Sequence, residues 1–237
     1  MIIRRLTSSH QVITQPAHAA LAARIMRQWE HDHFPDSPRK PSILHAIEQH
    51  DNGWAEVDEA LLVDEPTGQL LDFLELPDAL KRETASRGIE RLANDPYAAA
   101  LVAQHRLHVY RRYAEHPEWR GFFAKVQTAR DSYLQERAWP LPELLRDYKF
   151  VRAGDLASLA FCNNWADTAD DGCGYAMHLD GSILTLSPDP FGGRTIEIAI
   201  EARQIAPQAF DSAESARSVV ASAPTVTLSG QVTGSSI

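Results

Sequence analysis

The sequence predicts a mainly α-helical fold, a helical bundle carrying a small C-terminal antiparallel β appendage, α+β overall. Three features predict it. Apolar residues recur with helical spacing between about residues 15 and 165. Beyond about residue 175 the spacing changes to strand-like alternation, as in Thr195-Ile-Glu-Ile-Ala-Ile-Glu201. Asp180-Gly181, set between two short apolar runs, is a strong two-residue hairpin signal. The expected division is a helical domain over residues 1–165 and a β region over 166–237 packed on it.

The elements follow in order. Met1 to Leu6 reads as a short strand. Pro16 opens the first helix, where proline is tolerated in the first turn. At about 100° per residue, His18, Leu21, Ala22, Ile25 and Trp29 share one sector of that helix. Residues 31–41 hold three prolines and read as a loop. Ser42 is the expected N-cap of a second helix ending near Asn52-Gly53. Residues 55–80 are acidic and loop-like, with short helices at most. A helix over Lys81 to Ala93 follows, then one capped by Asp95 with Pro96 as its first residue, running to Tyr110. Further helices are expected over Glu118 to Arg137 and from Pro142 toward Cys162, the latter with a break around Gly154. The hairpin, the alternating strand, a short helix over Asp211 to Ala221 and a last strand, Thr225 to Leu228, complete the reading.

Composition narrows the function classes. A hydrophobic content of 44% is ordinary for a globular protein and sufficient for a substantial core. The formal net charge of -9, without a basic run, disfavours nucleic acid and anionic membrane surfaces as partners. No stretch has the apolar length of a membrane span, and Met1 to Leu6 lacks the apolar core of a signal peptide. Cys162 and Cys173 form no metal-type pair and are too few for a disulfide scaffold. The cytoplasm is the expected compartment.

The chemistry-bearing feature is His50-Asp51, at the end of the apolar-periodic segment Ser42 to Trp54. His18, His105 and Asp155 each fall on the apolar face of a separate expected helix. His18 shares its face with Leu21 and Ile25, His50 with Ile43 and Ile47, His105 with Val102 and Val109, and Asp155 with Leu159 and Cys162. Neutral imidazole nitrogens and carboxylates converging from several helices suit a divalent transition metal, such as Mn, Fe, Co, Ni or Zn. A buried carboxylate without a partner is costly, so Asp51 and Asp155 call for a cation or strong donors. A helix C-terminus at Asp51 adds partial negative charge that favours a cation. The expected metal ligands are therefore His18, His50, Asp51 and Asp155, and the expected catalytic groups are His105 and Asp51. Asp155 also reads as a helix cap after Gly154, and His105 as a group facing the ligand rather than binding the ion. Trp54 reads either as core or as a cover over the site. Asp58 reads as a further acid or base, or as a solvated loop residue.

The order His18, His50-Asp51, Asp155 resembles the HD-domain superfamily of metal-dependent phosphohydrolases. There a histidine on an early helix, a His-Asp pair and a late aspartate bind the ion. The likeness spans about residues 15–165. It implies an HD-like helical bundle and metal-assisted hydrolysis of a phosphorylated small molecule, a nucleotide being the default substrate by analogy. Trp54 stands where many members carry lysine, and no histidine lies between His50 and His105, so one ion is the simpler expectation. More closely, the whole chain is similar to an uncharacterised bacterial family known only as a domain of unknown function. The shared features are Pro16-Ala-His18, His50-Asp-Asn-Gly-Trp54, Asp95-Pro-Tyr-Ala-Ala99 and Asp155-Leu-Ala-Ser-Leu159. Two other functions stay open, an HD-type diiron oxygenase and a non-catalytic metal- or metabolite-binding protein. The hairpin edge could complete the pocket or pair two chains as a homodimer.

Overall fold

The structure is a computed structural model describing residues 1–34, 36–169 and 173–235. Two short strands, β1 (Ile2–Arg5) and β2 (His10–Ile13), lead into helix α1 (Gln15–Met26). Then come α2 (Lys40–Gln49), α3 (Ala55–Ala60), α4 (Asp78–Glu90), α5 (Pro96–Val109), α6 (Pro117–Glu136) and α7 (Leu141–Asn163). The remainder is β3 (Asp167–Ala169), β4 (Ala176–Asp180), β5 (Ile183–Ser187), β6 (Ile196–Ile205), α8 (Ala213–Ser222) and β7 (Thr225–Gly234).

The expected helical bundle with a small antiparallel appendage is overturned. Among the described residues, seven strands form one curled sheet, a half-barrel, in the order β1-β2-β6-β7-β5-β4-β3. It is mixed rather than antiparallel, because β7 pairs antiparallel with β6 and parallel with β5. The N-terminal strands join through β2, whose His10 pairs with Ile205 of β6. The architecture is α+β. One hydrophobic core runs through both layers, joining Ile2, Ile13, Leu184, Ile198 and Val232 of the sheet to Leu21, Ile47, Leu101 and Leu156 of the helices. Helices α1 and α7 lie directly on the strands.

Local chemistry explains the elements that position the site. The Thr14 side chain caps α1 by accepting from the Ala17 amide, and Pro16 occupies its first turn. Asp95 caps α5 by accepting from the Ala98 amide. α2 begins at Lys40, two residues before Ser42, which therefore lies inside the helix rather than capping it. α7 runs unbroken through Gly154, where a Cβ would lie 2.8 Å from Met26 Cγ and 3.2 Å from Ile47 Cγ2. Glycine there lets α7 approach α1 and α2 closely; it does not end the helix. Among the described residues, no helix is long and apolar enough to cross a membrane.

Candidate metal centre

Helices α1, α2, α5 and α7 pack on one another and bring His18, His50, Asp51, His105 and Asp155 together, all buried. His18 lies in the first turn of α1. His50 keeps helical backbone angles at the end of α2, whereas Asp51 leaves them at φ -110° and ψ 18°. That unwinding lets two successive side chains face one point, which a continuing helix would forbid. The chain then makes a single 3-10 turn over Asn52–Trp54. Gly53 is needed there for packing, because a Cβ would lie 2.1 Å from the Thr84 carbonyl oxygen and 2.8 Å from the Gly88 nitrogen. Helix α4 thus presses backbone to backbone against the turn carrying Asp51.

The donor atoms have the spacing of a coordination shell. Ligands about 2.1 Å from a tetrahedral ion lie about 3.4 Å apart. His50 Nε2 is 3.3 Å from Asp155 Oδ1 and 3.7 Å from Asp51 Oδ2. His18 Nε2 lies within hydrogen-bonding distance of Asp51 Oδ2, at 2.8 Å, and His105 Nε2 is 3.8 Å from Asp155 Oδ2. Two triads result, His18-His50-Asp51 and His50-His105-Asp155, each with donor atoms within 4.8 Å of one another. Both use His50. Its Nδ1 lies 2.7 Å from the Ile47 carbonyl oxygen and donates to it, which leaves Nε2 as the ring's one lone pair. Nε2 is fully buried and makes no aligned hydrogen bond. Both triads draw on the same His50 lone pair, so an ion held there would belong to one triad or the other.

Electrostatics point the same way. Burial opposes charge on His50, but the Asp51 and Asp155 carboxylates outweigh it and raise its proton affinity. Burial also opposes ionisation of Asp51, yet the Arg106 guanidinium and the surrounding imidazoles hold its carboxyl well below the usual range. Asp155 is likewise lowered against burial, by His50, His105 and Arg152. Arg106 Nη2 donates to Asp51 Oδ1 over 2.7 Å and also to the His50 carbonyl. Arg152 Nη1 donates to Asp155 Oδ2 over 2.7 Å. Two carboxylates are thus balanced by two guanidiniums before any ion is counted. His105 is the opposite case, since burial drives its imidazole well below its ordinary value and keeps it neutral. Its Nδ1 lies 3.3 Å from the Tyr148 hydroxyl. Ser158 supports both sides of the centre, its Oγ donating to the Asp155 carbonyl and lying 3.0 Å from His18 Nδ1.

The centre opens onto a cavity of about 200 Å³. Asp51, His105, Arg106, Arg152 and Asp155 lie on its polar side, together with Lys81, Arg112 and Gln15. Trp54, Phe73, Tyr110 and Trp165 supply an aromatic wall. Trp54 is therefore both buried core and part of the cavity.

Several other acidic and histidine side chains lie away from the cluster. Asp58 is buried in α3, where it accepts from the Gln15 amide and pairs with the Met1 amino group, so it is no solvated loop residue. His45 is exposed beside Asp95, and His178 is exposed beside Asp167. His31 contacts the Tyr175 hydroxyl at 2.6 Å. Asp155 sits well inside α7 and does not cap it. Sequence reasoning did not single out Arg152, Ser158, Tyr148 or Gln15. Arg152 and Ser158 lie three residues either side of Asp155, on its helix face, a spacing that could have flagged them.

A family model described as "Protein of unknown function (DUF3891)" matches residues 1–207. The chain belongs to this family. No curated protein and no solved structure matches it.

Proposed function

We propose that the chain is a metal-dependent hydrolase acting on a phosphorylated small molecule, with a nucleotide as the first substrate to try. The observation that carries this reading is the buried His50 Nε2, left without a hydrogen bond among two carboxylates and two further imidazoles at ligand spacing. His18, His50, Asp51 and Asp155 would hold one divalent transition ion. The same four residues carry the likeness to the HD-domain phosphohydrolases. When bound, the ion would supply a Lewis acid and a readily deprotonated water.

The charge balance supports an anionic substrate. Asp51 and Asp155 are already offset by Arg106 and Arg152, so a divalent ion leaves the centre with two uncompensated positive charges. Lys81 and Arg112 add to that field from the cavity wall. Arg106 and Arg152 line the cavity, and their planar guanidiniums would suit phosphoryl oxygens. His105, neutral and facing the cavity, can accept a proton from an attacking water or hold one for the leaving group. The aromatic wall would offer faces for a planar group.

A second reading rests on the same ion pairs. Because Arg106 and Arg152 already pair with the carboxylates, the cluster can serve as a polar core in a protein that binds a metabolite without turning it over. The diiron alternative is disfavoured by the single lone pair of His50 that both triads share.

The test is a panel of phosphorylated compounds, nucleotides included, assayed with Mn, Co, Ni and Mg. Turnover that disappears in His50→Ala supports the hydrolase. Saturable binding of a panel member without turnover under any metal supports the second reading.

A further inference from the structure

Gln15 has no place in the centre described so far, and its environment is unusual. It is 1% exposed, and its side-chain amide makes no hydrogen bond among the described residues, with Oε1 fully buried. Its backbone is anchored, the amide N–H donating to Asp58 Oδ2 over 2.6 Å. It lines the cavity beside Asp51, His105 and Arg106. An unpaired buried amide is costly, and methionine would fill the same volume without that cost. Arg106 shows the complementary defect. It is 2% exposed, its Nη2 is engaged with Asp51 and the His50 carbonyl, and its Nε is a buried donor with no acceptor.

A ligand that repairs both must accept from a guanidinium and satisfy an amide that donates at one end and accepts at the other. Whichever way the amide is turned, both of its ends are satisfied only by a group that donates as well as accepts. A hydrogen-phosphate group does this within one tetrahedron, with P–O⁻ oxygens for Arg106 and a P–OH beside an oxygen for Gln15. Sulfate has no proton near neutral pH, and a phosphodiester has lost its own. Each would leave one end of the amide unpaired.

We propose that Gln15 is a ligand-binding residue of this cavity and that, with Arg106, it selects a hydrogen-phosphate head over oxyanions that carry no proton. This rests on the phosphate reading of the cavity and narrows it to a terminal phosphate, whether on an ester or free. A buried amide left half-paired weakens binding about ten- to a hundredfold.

The experiment is calorimetric titration of the protein as purified with orthophosphate, sulfate and phenylphosphonate, a non-hydrolysable monoester mimic. It is run on wild type, Gln15→Leu and Gln15→Met, with melting temperature and metal content recorded for each. Wild type should prefer orthophosphate to sulfate at least tenfold. Both variants should lose that preference while keeping their metal content, and two replacements guard against one that folds poorly. Tighter binding of phenylphosphonate than of orthophosphate assigns the head to an ester, and weaker binding assigns it to free phosphate. If wild type binds orthophosphate but the variants keep the preference, the role of Gln15 is overturned and the phosphate reading survives. If wild type binds none of the three, both are overturned.

Discussion

The Nδ1 of His50 lies 2.7 Å from the carbonyl oxygen of Ile47, three residues earlier on the same helix. This contact sets the chemistry of the centre, because it commits the proton to Nδ1 and turns the Nε2 lone pair toward Asp51, Asp155, His18 and His105. A histidine at the last turn of a helix finds such a carbonyl close at hand. The position of His50 in α2 is thus as important as its identity.

Gly53→Ala should be costly. The new Cβ would meet backbone atoms of Thr84 and Gly88, which cannot give without moving α4 off the Asp51 turn. We expect a loss of about 3 kcal/mol in urea unfolding. Gly154→Ala meets chiefly the flexible Met26 side chain and gains helix propensity of about 1 kcal/mol, so its net effect should lie near zero. Equal losses for the two variants would show that backbone contact at Gly53 is not what holds the turn.

Arg106→Met leaves Asp51 buried beside histidines alone. In metal-stripped protein this should cost about 3 kcal/mol, the penalty of breaking a buried ion pair. A bound divalent ion takes over the neutralisation of Asp51. The melting temperature should therefore rise more on Mn addition in Arg106→Met than in wild type. A smaller rise would mean that Arg106 and the ion do not answer the same charge.

The pH dependence of metal-stripped protein should separate two histidines. His105 is held well below its ordinary value of 6.5, so the unfolded chain takes up that proton first. Its contribution is complete above pH 6.5 and is lost as pH falls below it. His50 is raised above 6.5, so its contribution is present below that value and is lost as pH rises through the raised pKa. His105→Gln should flatten the stability curve on the acid side of pH 6.5, and His50→Gln on the alkaline side. Urea unfolding at pH 5, 6.5 and 8 would read both, and the opposite pattern would contradict the assigned directions.

The centre was more legible in the sequence than the fold. His18, His50, His105 and Asp155 could be placed by helical periodicity, because each is buried on the apolar side of its helix or at its end, and Asp95 marks the start of α5 as a local signal. The sheet was harder. Strand β7 continues six residues past Leu228 through Ser229, Gly230 and Gln231, which carry no alternating apolar signal. Gly230 is there because a Cβ would lie 2.4 Å from the Ser182 carbonyl oxygen and 2.5 Å from the Phe161 ring, a contact no local window reveals. Strand β2 has only four residues and pairs with β6 across more than half the chain. Arg106 and Gln15 were obscure for the same reason. Their meaning depends on partners, or on the lack of them, from other helices.

The most direct test is elemental analysis of the native, untagged protein beside its His50→Ala/Asp51→Ala variant, with circular dichroism to confirm that both are folded. We expect about one transition-metal ion per chain in the native protein, as a single His50 lone pair requires, and none in the variant. A native protein that holds no metal and takes none up from added Mn, Fe, Co, Ni or Zn would contradict the metal centre and leave the cluster as a buried polar core.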